Sequence, residues 1–165
     1  MITIELNEDE VAAVLDRLSK ALIDMTPVME EIGDLLVNST KERFKESVAP
    51  DGTKWAQKSQ TTIAAYRRRG DRIDFRPLFG PTGRLSSEIS RTATDHSVEI
   101  GSNLIYAAVM QFGAAKGAFG TTRKGGAIPW GRIPERPFLG ISEQDRTNIV
   151  ATVDEWLNRV AAAQG

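Results

Sequence analysis

A single histidine, His96, is the only imidazole available for general-base chemistry, and it stands beside Asp95. A Ser-His-Asp triad would have to run through it. No nucleophile elbow or other nucleophile motif accompanies it, so a solvated turn histidine is the simpler reading. Cysteine is absent, which removes disulfides, thiolate metal sites and thiol nucleophiles together. Carboxylates are plentiful, but Glu8-Asp9-Glu10 and Glu30-Glu31 fall near predicted helix starts, where the helix dipole favours negative charge. No spacing resembles a calcium loop or a histidine-rich metal site. Gly113, Gly117 and Gly120 lack the Gly-Lys-Ser/Thr and the preceding strand of a phosphate cradle, and read as loop glycines. No catalytic residue, metal or cofactor is expected.

Charge is more informative. Residues 1–40 carry nine acidic and two basic residues, whereas residues 41–91 carry twelve basic and six acidic ones. Two readings stand side by side: neutralisation within one fold, or a negative face of one copy meeting a positive face of the next. Tyr66-Arg67-Arg68-Arg69 is the densest basic run, with Lys116, Arg123 and Lys124 following in a glycine-rich stretch. Such a run neutralises nucleic-acid phosphates or serves as a solvated, inter-subunit surface. Only Tyr66 offers a stacking ring nearby, and no nucleic-acid recognition motif surrounds it. The favoured interface residues are Arg67, Arg68, Arg69, Lys116, Arg123, Lys124, Arg136 and Phe138.

The elements that must position these residues follow from periodicity. The chain has 165 residues, 41% hydrophobic and 26% charged, enough for one self-sufficient core. Residues 1–165 read as one domain: an N-terminal extension (1–25), a core (26–165) and a mobile loop (114–126). The start has no basic stretch before an apolar run, and no apolar stretch is long enough for a membrane helix. A soluble protein made in the cytoplasm is expected.

Ile2, Ile4 and Leu6 alternate as in a short strand, and Asn7 is placed as a helix cap. Val11, Val14, Leu15, Leu18 and Leu22 define a first amphipathic helix. Thr26 is expected to cap a second helix with Pro27 in its first turn and Met29, Ile32, Leu36 and Phe44 on one stripe. Ser59 caps a third, Gln60 to Arg69, stopped by Gly70. After an ordered loop at 70–83, strands at about 84–93 and 97–102 form a hairpin, with a helical Leu85–Ile89 as the alternative reading. Asn103 opens a short helix with Ile105, Ala108, Val109 and Phe112 on one side and Gly113 as its stop. Ala127 to Arg132 could form a strand, interrupted by Pro129. Ser142 caps the last helix, whose stripe is Ile149, Val153, Trp156, Leu157 and Val160. The fold class is α+β: a small twisted antiparallel sheet packed by a long helix of the N-terminal half and a C-terminal helix.

Several short motifs share an order. Phe44 precedes Pro50-Asp51-Gly52 and Trp55, and Leu78 precedes Thr82-Gly83-Arg84-Leu85 and Ser87. Val98-Glu99-Ile100-Gly101-Ser102 leads to Tyr106-Ala107-Ala108 and Gln111-Phe112-Gly113. Ile133-Pro134-Glu135-Arg136-Pro137-Phe138-Leu139-Gly140 follows, and then Trp156-Leu157. Together, across roughly residues 25 to 160, this series resembles the phage virion-morphogenesis family, the tail-completion proteins of Mu-like phages. Met110 stands where that family often has a histidine, so no role of that histidine carries over.

The resemblance implies a non-enzymatic tail-completion or tail-terminator subunit acting in a ring, with sixfold symmetry. Its partners would be other copies of itself, the tail tube protein and neck or head-completion proteins, with weak DNA contact in the lumen and no membrane. It would be made in the host cytoplasm and reside in the tail or neck of the virion. A head-side neck adaptor and a nucleic-acid-binding module are the rivals. From the residues alone, Phe138 either plugs the domain's own core or docks on a neighbour, and Tyr106 and Phe112 divide between core and neighbour.

Overall fold

The computed structural model describes residues 8–163. The alternating Ile2, Ile4 and Leu6 and the Asn7 cap lie outside the described residues. The elements run α1 (Glu8–Ile23), α2 (Thr26–Glu46), α3 (Gln60–Arg69), α4 (Arg84–Ser87), β1 (Ser90–Ala93), β2 (Val98–Gly101), α5 (Ala107–Phe112) and α6 (Glu143–Ala162). The architecture is α+β, as the patterning predicts. The α2 helix lies across a two-stranded antiparallel sheet, and α6 packs along α2 beside α1.

The ends of these helices are set by side chains. Thr26 is the first residue of α2 rather than its cap; its N–H donates to Asp24 Oδ1 (3.0 Å). Asp24 takes the capping role because its carboxylate, two residues earlier, accepts an otherwise unpaired helix donor. Ser59 Oγ accepts the Thr62 N–H (3.1 Å), and Gly70, left-handed at φ 73°, ends α3. At α6, Ser142 and Asp145 form a reciprocal capping box.

The hairpin is shorter than its sequence suggests. Ser90 pairs with Gly101 and Ala93 with Val98, and Thr94 N–H closes the turn on Ser97 O (2.8 Å). Residues 84–87 are helical instead of extended. Gly83, at φ 65°, turns the chain into α4, and one helical turn is enough to drop Leu85 into the core. His96 lies exposed at the hairpin tip, 3.5 Å from Asp95.

Two clusters make up the interior. Around the C-terminal half of α2, Val37 and Phe44 meet Trp55, Leu78, Leu85 and Phe138. Phe44 stands at the centre, its ring 5.3 Å from Phe138, 5.6 Å from Trp55 and 6.2 Å from Phe79. Around the N-terminal half of α2, Val28, Ile32 and Leu36 meet Trp156 of α6, with Val98 and Ile100 of β2 alongside. Ion pairs line this second seam: Arg159 holds Glu31 (2.6 Å), and Arg91 of β1 holds Asp34 (2.6 Å). Part of the acidic surplus of residues 1–40 is thus neutralised inside the subunit.

Trp156 is the only large side chain of α6 that is fully buried among the described residues. Trp156→Ala should therefore cost about 3–5 kcal/mol, read as a lower urea midpoint with an unchanged slope. A loss below about 1 kcal/mol would show that α6 is held by other contacts.

Candidate assembly interface

The segment 136–140 is clamped from three directions. From α2, Arg43 is buried; its Nη1 donates to Gly140 O (2.8 Å) and Phe138 O (3.2 Å). Its Nη2 donates to Ser39 Oγ (3.2 Å) and to the buried carboxylate of Asp145 on α6. From α5, Gln111 Oε1 accepts the N–H groups of Phe138 (2.9 Å) and Leu139 (3.0 Å), while its Nε2 donates to Leu139 O (3.1 Å). From the turn after α2, Trp55 Nε1 donates to Pro137 O (2.8 Å). An irregular stretch with few backbone partners of its own is thereby satisfied almost entirely by side chains.

The turn motifs seat this clamp. Asp51 Oδ1 accepts the Thr53 N–H (2.9 Å), and Gly52 N–H returns to Ala49 O (2.9 Å). Pro50 then lies against Gly140, where an added Cβ would come within 2.7 Å of the proline ring. Gly113 is equally constrained: at φ 71°, a Cβ there would stand 2.7 Å from Ile133 O and 2.8 Å from Glu135 N. Only glycine lets the end of α5 approach the 133–135 backbone so closely. Thr82-Gly83 delivers Leu85 to the core, and Gly101 closes the hairpin register.

Two predicted interface residues belong to the interior instead. Phe138 is 0% exposed and packs on Phe44. Arg136 is buried, with Nε on Ala56 O (2.7 Å) and Nη2 on Gln57 O (3.0 Å). Burial lowers its pKa, and neither of those partners is a carboxylate. Neither side chain has surface left for a neighbour. Lys58 likewise turns inward, donating to the carbonyls of Asp74 and Phe79 and so pinning the 70–83 loop.

The other basic residues stay outside. Arg67 and Arg68 are exposed, and Arg69 pairs with Asp71 (2.8 Å). Tyr66, the ring that could have stacked on a base, is already engaged by Arg69 (5.2 Å to the ring centre) and Lys58 (5.7 Å). Lys116, Arg123 and Lys124 ride on the excursion 114–133. This segment is an irregular hairpin in the structure: Ala114 bridges Ile133, Thr121 bridges Ala127, and Phe119 N–H donates to Ile128 O (2.7 Å).

Large apolar side chains on and beside this segment face solvent. Ile105 is 96% exposed, Phe112 76% and Trp130 66%. Helix α5 begins at Ala107, not Asn103, and it buries Ala107 and partly Met110, which places Phe112 on the opposite side. Tyr106 is also partly exposed. Beside them, a cleft of about 510 Å³ runs between Ser59–Tyr66 and Pro129–Pro134. A hollow of about 450 Å³ lies beyond Arg132, walled by Phe112 and Lys116. Apolar side chains rimmed by cations, here Lys116 and Arg132, which form no ion pair among the described residues, are suited to binding a protein surface. Among the described residues, no three histidine, aspartate or glutamate side chains converge as metal ligands would, and no helix is long and apolar enough to cross a membrane.

Asp145 gives the clamp a pH signature. Burial works to raise its pKa, but hydrogen bonds from Ser39 and Ser142 and the Arg43 charge outweigh burial and hold it below the ordinary 3.8. Its contribution is fully present above about pH 4 and is lost as pH falls through the lowered value. Asp145→Asn should cost about 3–5 kcal/mol at neutral pH, because Arg43 is left buried without its counter-ion. Its stability should also fall less steeply below pH 4 than that of the parent. Equal acid slopes in chemical denaturation would contradict the pairing.

Residues 6–158 match the model of the phage virion morphogenesis family. The chain is also 26% identical over 157 residues to a protein named Mu-like prophage FluMu G protein 2, from Haemophilus influenzae (strain ATCC 51907 / DSM 11121 / KW20 / Rd), covering 94% of this chain and 96% of that one. No solved structure matches it.

Proposed function

The chain belongs to the phage virion morphogenesis family, and from that premise we propose that it completes or terminates the phage tail as a homo-oligomeric ring and so contributes to head–tail joining. The role is one of binding, with no reaction catalysed. One observation supports this reading above the others. A well-clamped core leaves Ile105, Phe112 and Trp130 largely in solvent, where a solitary soluble domain would gain by covering them. A ring covers such surfaces and multiplies modest contacts between single subunits.

In this reading the partners are other copies of the chain, the tail tube protein and neck or head-completion proteins. Arg67 and Arg68, with the basic residues of the 114–133 excursion, supply the charged part of those contacts and a weak hold on DNA in the lumen. Dedicated nucleic-acid recognition is less favoured, because the Tyr66 ring is engaged within the subunit.

Phage produced without this protein, imaged by negative-stain electron microscopy, should show overlong or unjoined tails beside filled heads. Normal tails with leaking heads would instead place the protein on the head side and contradict tail completion. Replacing Arg67, Arg68 and Arg69 with Glu should reduce assembled tails while leaving the melting temperature of the subunit nearly unchanged. Normal tail yields from that variant would remove these arginines from the interface.

A further inference from the structure

Helix α1 is amphipathic, yet none of its residues is buried. Val14, Leu18 and Ala21 are half-covered, and the helix packs along α6, with Arg17 Nη2 donating to Ala161 O (2.9 Å). A second apolar line beside these residues is left uncovered among the described residues: Val11, Leu15 and Leu22 are 45%, 61% and 51% exposed. Their spacing is that of anchors on a helix that lies in a groove. The same helix opens with Glu8 and Asp9, for which no ion pair is formed among the described residues.

The molecule also carries a groove of matching character, the cleft between Ser59–Tyr66 and Pro129–Pro134 with Trp130 at its edge. Arg132 borders both this cleft and the hollow containing Phe112 and Lys116. Acidic helix and basic groove are complementary in charge as well as in apolar content.

Within one subunit they lie toward opposite ends of α2. Helix α1 sits by the last turn of α6, whose Arg159 pairs with Glu31 near the start of α2. The cleft adjoins the cluster around Phe44 near the end of α2. At ~1.5 Å per residue, the helical rise from Glu31 to Phe44 along α2 sets these two landmarks roughly 20 Å apart.

We infer that the exposed apolar line of α1 in one subunit docks in the Tyr66–Trp130 cleft of a second copy of this chain. Two unlike patches at opposite ends of one body make a head-to-tail contact, which closes into a ring when the rotation per subunit permits. This pairing rests on the ring reading above and names the surfaces that would build it.

Because the chain has no cysteine, introduced thiols report alone. A full-length variant carrying both Ala12→Cys, exposed beside Leu15 on α1, and Thr61→Cys, exposed on the cleft wall, treated with a flexible bis-maleimide, should give a ladder of crosslinked oligomers. The single variants should give no crosslink alone and only unlike dimers when mixed. Leu15→Glu with Leu22→Glu, both at exposed positions, should weaken self-association by about 30-fold or more, the loss of at least one anchor, with an unchanged circular dichroism spectrum. Oligomers of normal mass that neither crosslink nor respond to these substitutions would overturn the pairing and leave the ring reading standing. Crosslinks from one single variant alone would show a two-fold contact and also overturn it. Unmodified protein that stays monomeric to millimolar concentration and never enters tails would overturn both.

Discussion

The buried pair of Arg43 and Asp145 ties the subunit together. One guanidinium binds a carboxylate on α6, a hydroxyl on its own helix and two carbonyls of the 138–140 segment. Taking these charges out of water is costly, and their mutual attraction alone need not offset it. What makes the arrangement work is that nearly every polar atom finds a partner, Ser142 completing the shell on the Asp145 side. Burial pulls the Arg43 pKa below its ordinary value and the Asp145 charge opposes that, but a guanidinium stays charged. The pair joins the α2–α6 seam to the loop-rich half, where repeating secondary structure is scarce.

A division of labour follows. Phe44, Trp55 and Phe138 form an aromatic centre at one end of α2, and Trp156 a smaller one at the other. Strand pairing around them is sparse; the only sheet among the described residues has two strands of four residues. Side-chain hydrogen bonds from Gln111, Trp55 and Arg43 replace the ladder that a larger sheet would supply. The result is a subunit polarised along α2, acidic and apolar at α1, basic and aromatic beyond α5. Such polarity serves association between copies better than it serves a lone domain.

The helices were legible in the sequence wherever a long period and a cap agreed. The span of α3 was set by Ser59 and Gly70, and the start of α6 by Ser142 with Asp145. Short elements were less legible. Four residues at 84–87 satisfy a strand parity and a single helical turn equally well, and only Leu85 entering the core decides between them. In α5, six residues are too few for periodicity to assign an inner face, so the sequence leaves Tyr106 and Phe112 divided between core and neighbour, and both face solvent. In its proline-stiffened strip Arg136 looks like a surface feature and Phe138 suits core or interface; their burial depends on carbonyls and rings far away in sequence. Nothing local to Arg43 announced that it would be the residue on which the clamp turns. Its partners lie about a hundred positions downstream.

Hydrogen–deuterium exchange, compared between the free subunit and the assembled particle, tests most directly whether a prefolded body presents separate association surfaces. The Phe138 and Leu139 amides, held by Gln111, should be protected in both states. Helix α1 and residues 112–132 should gain protection only in the particle. A 136–140 segment that exchanges freely until assembly, with α1 unchanged throughout, would contradict this picture.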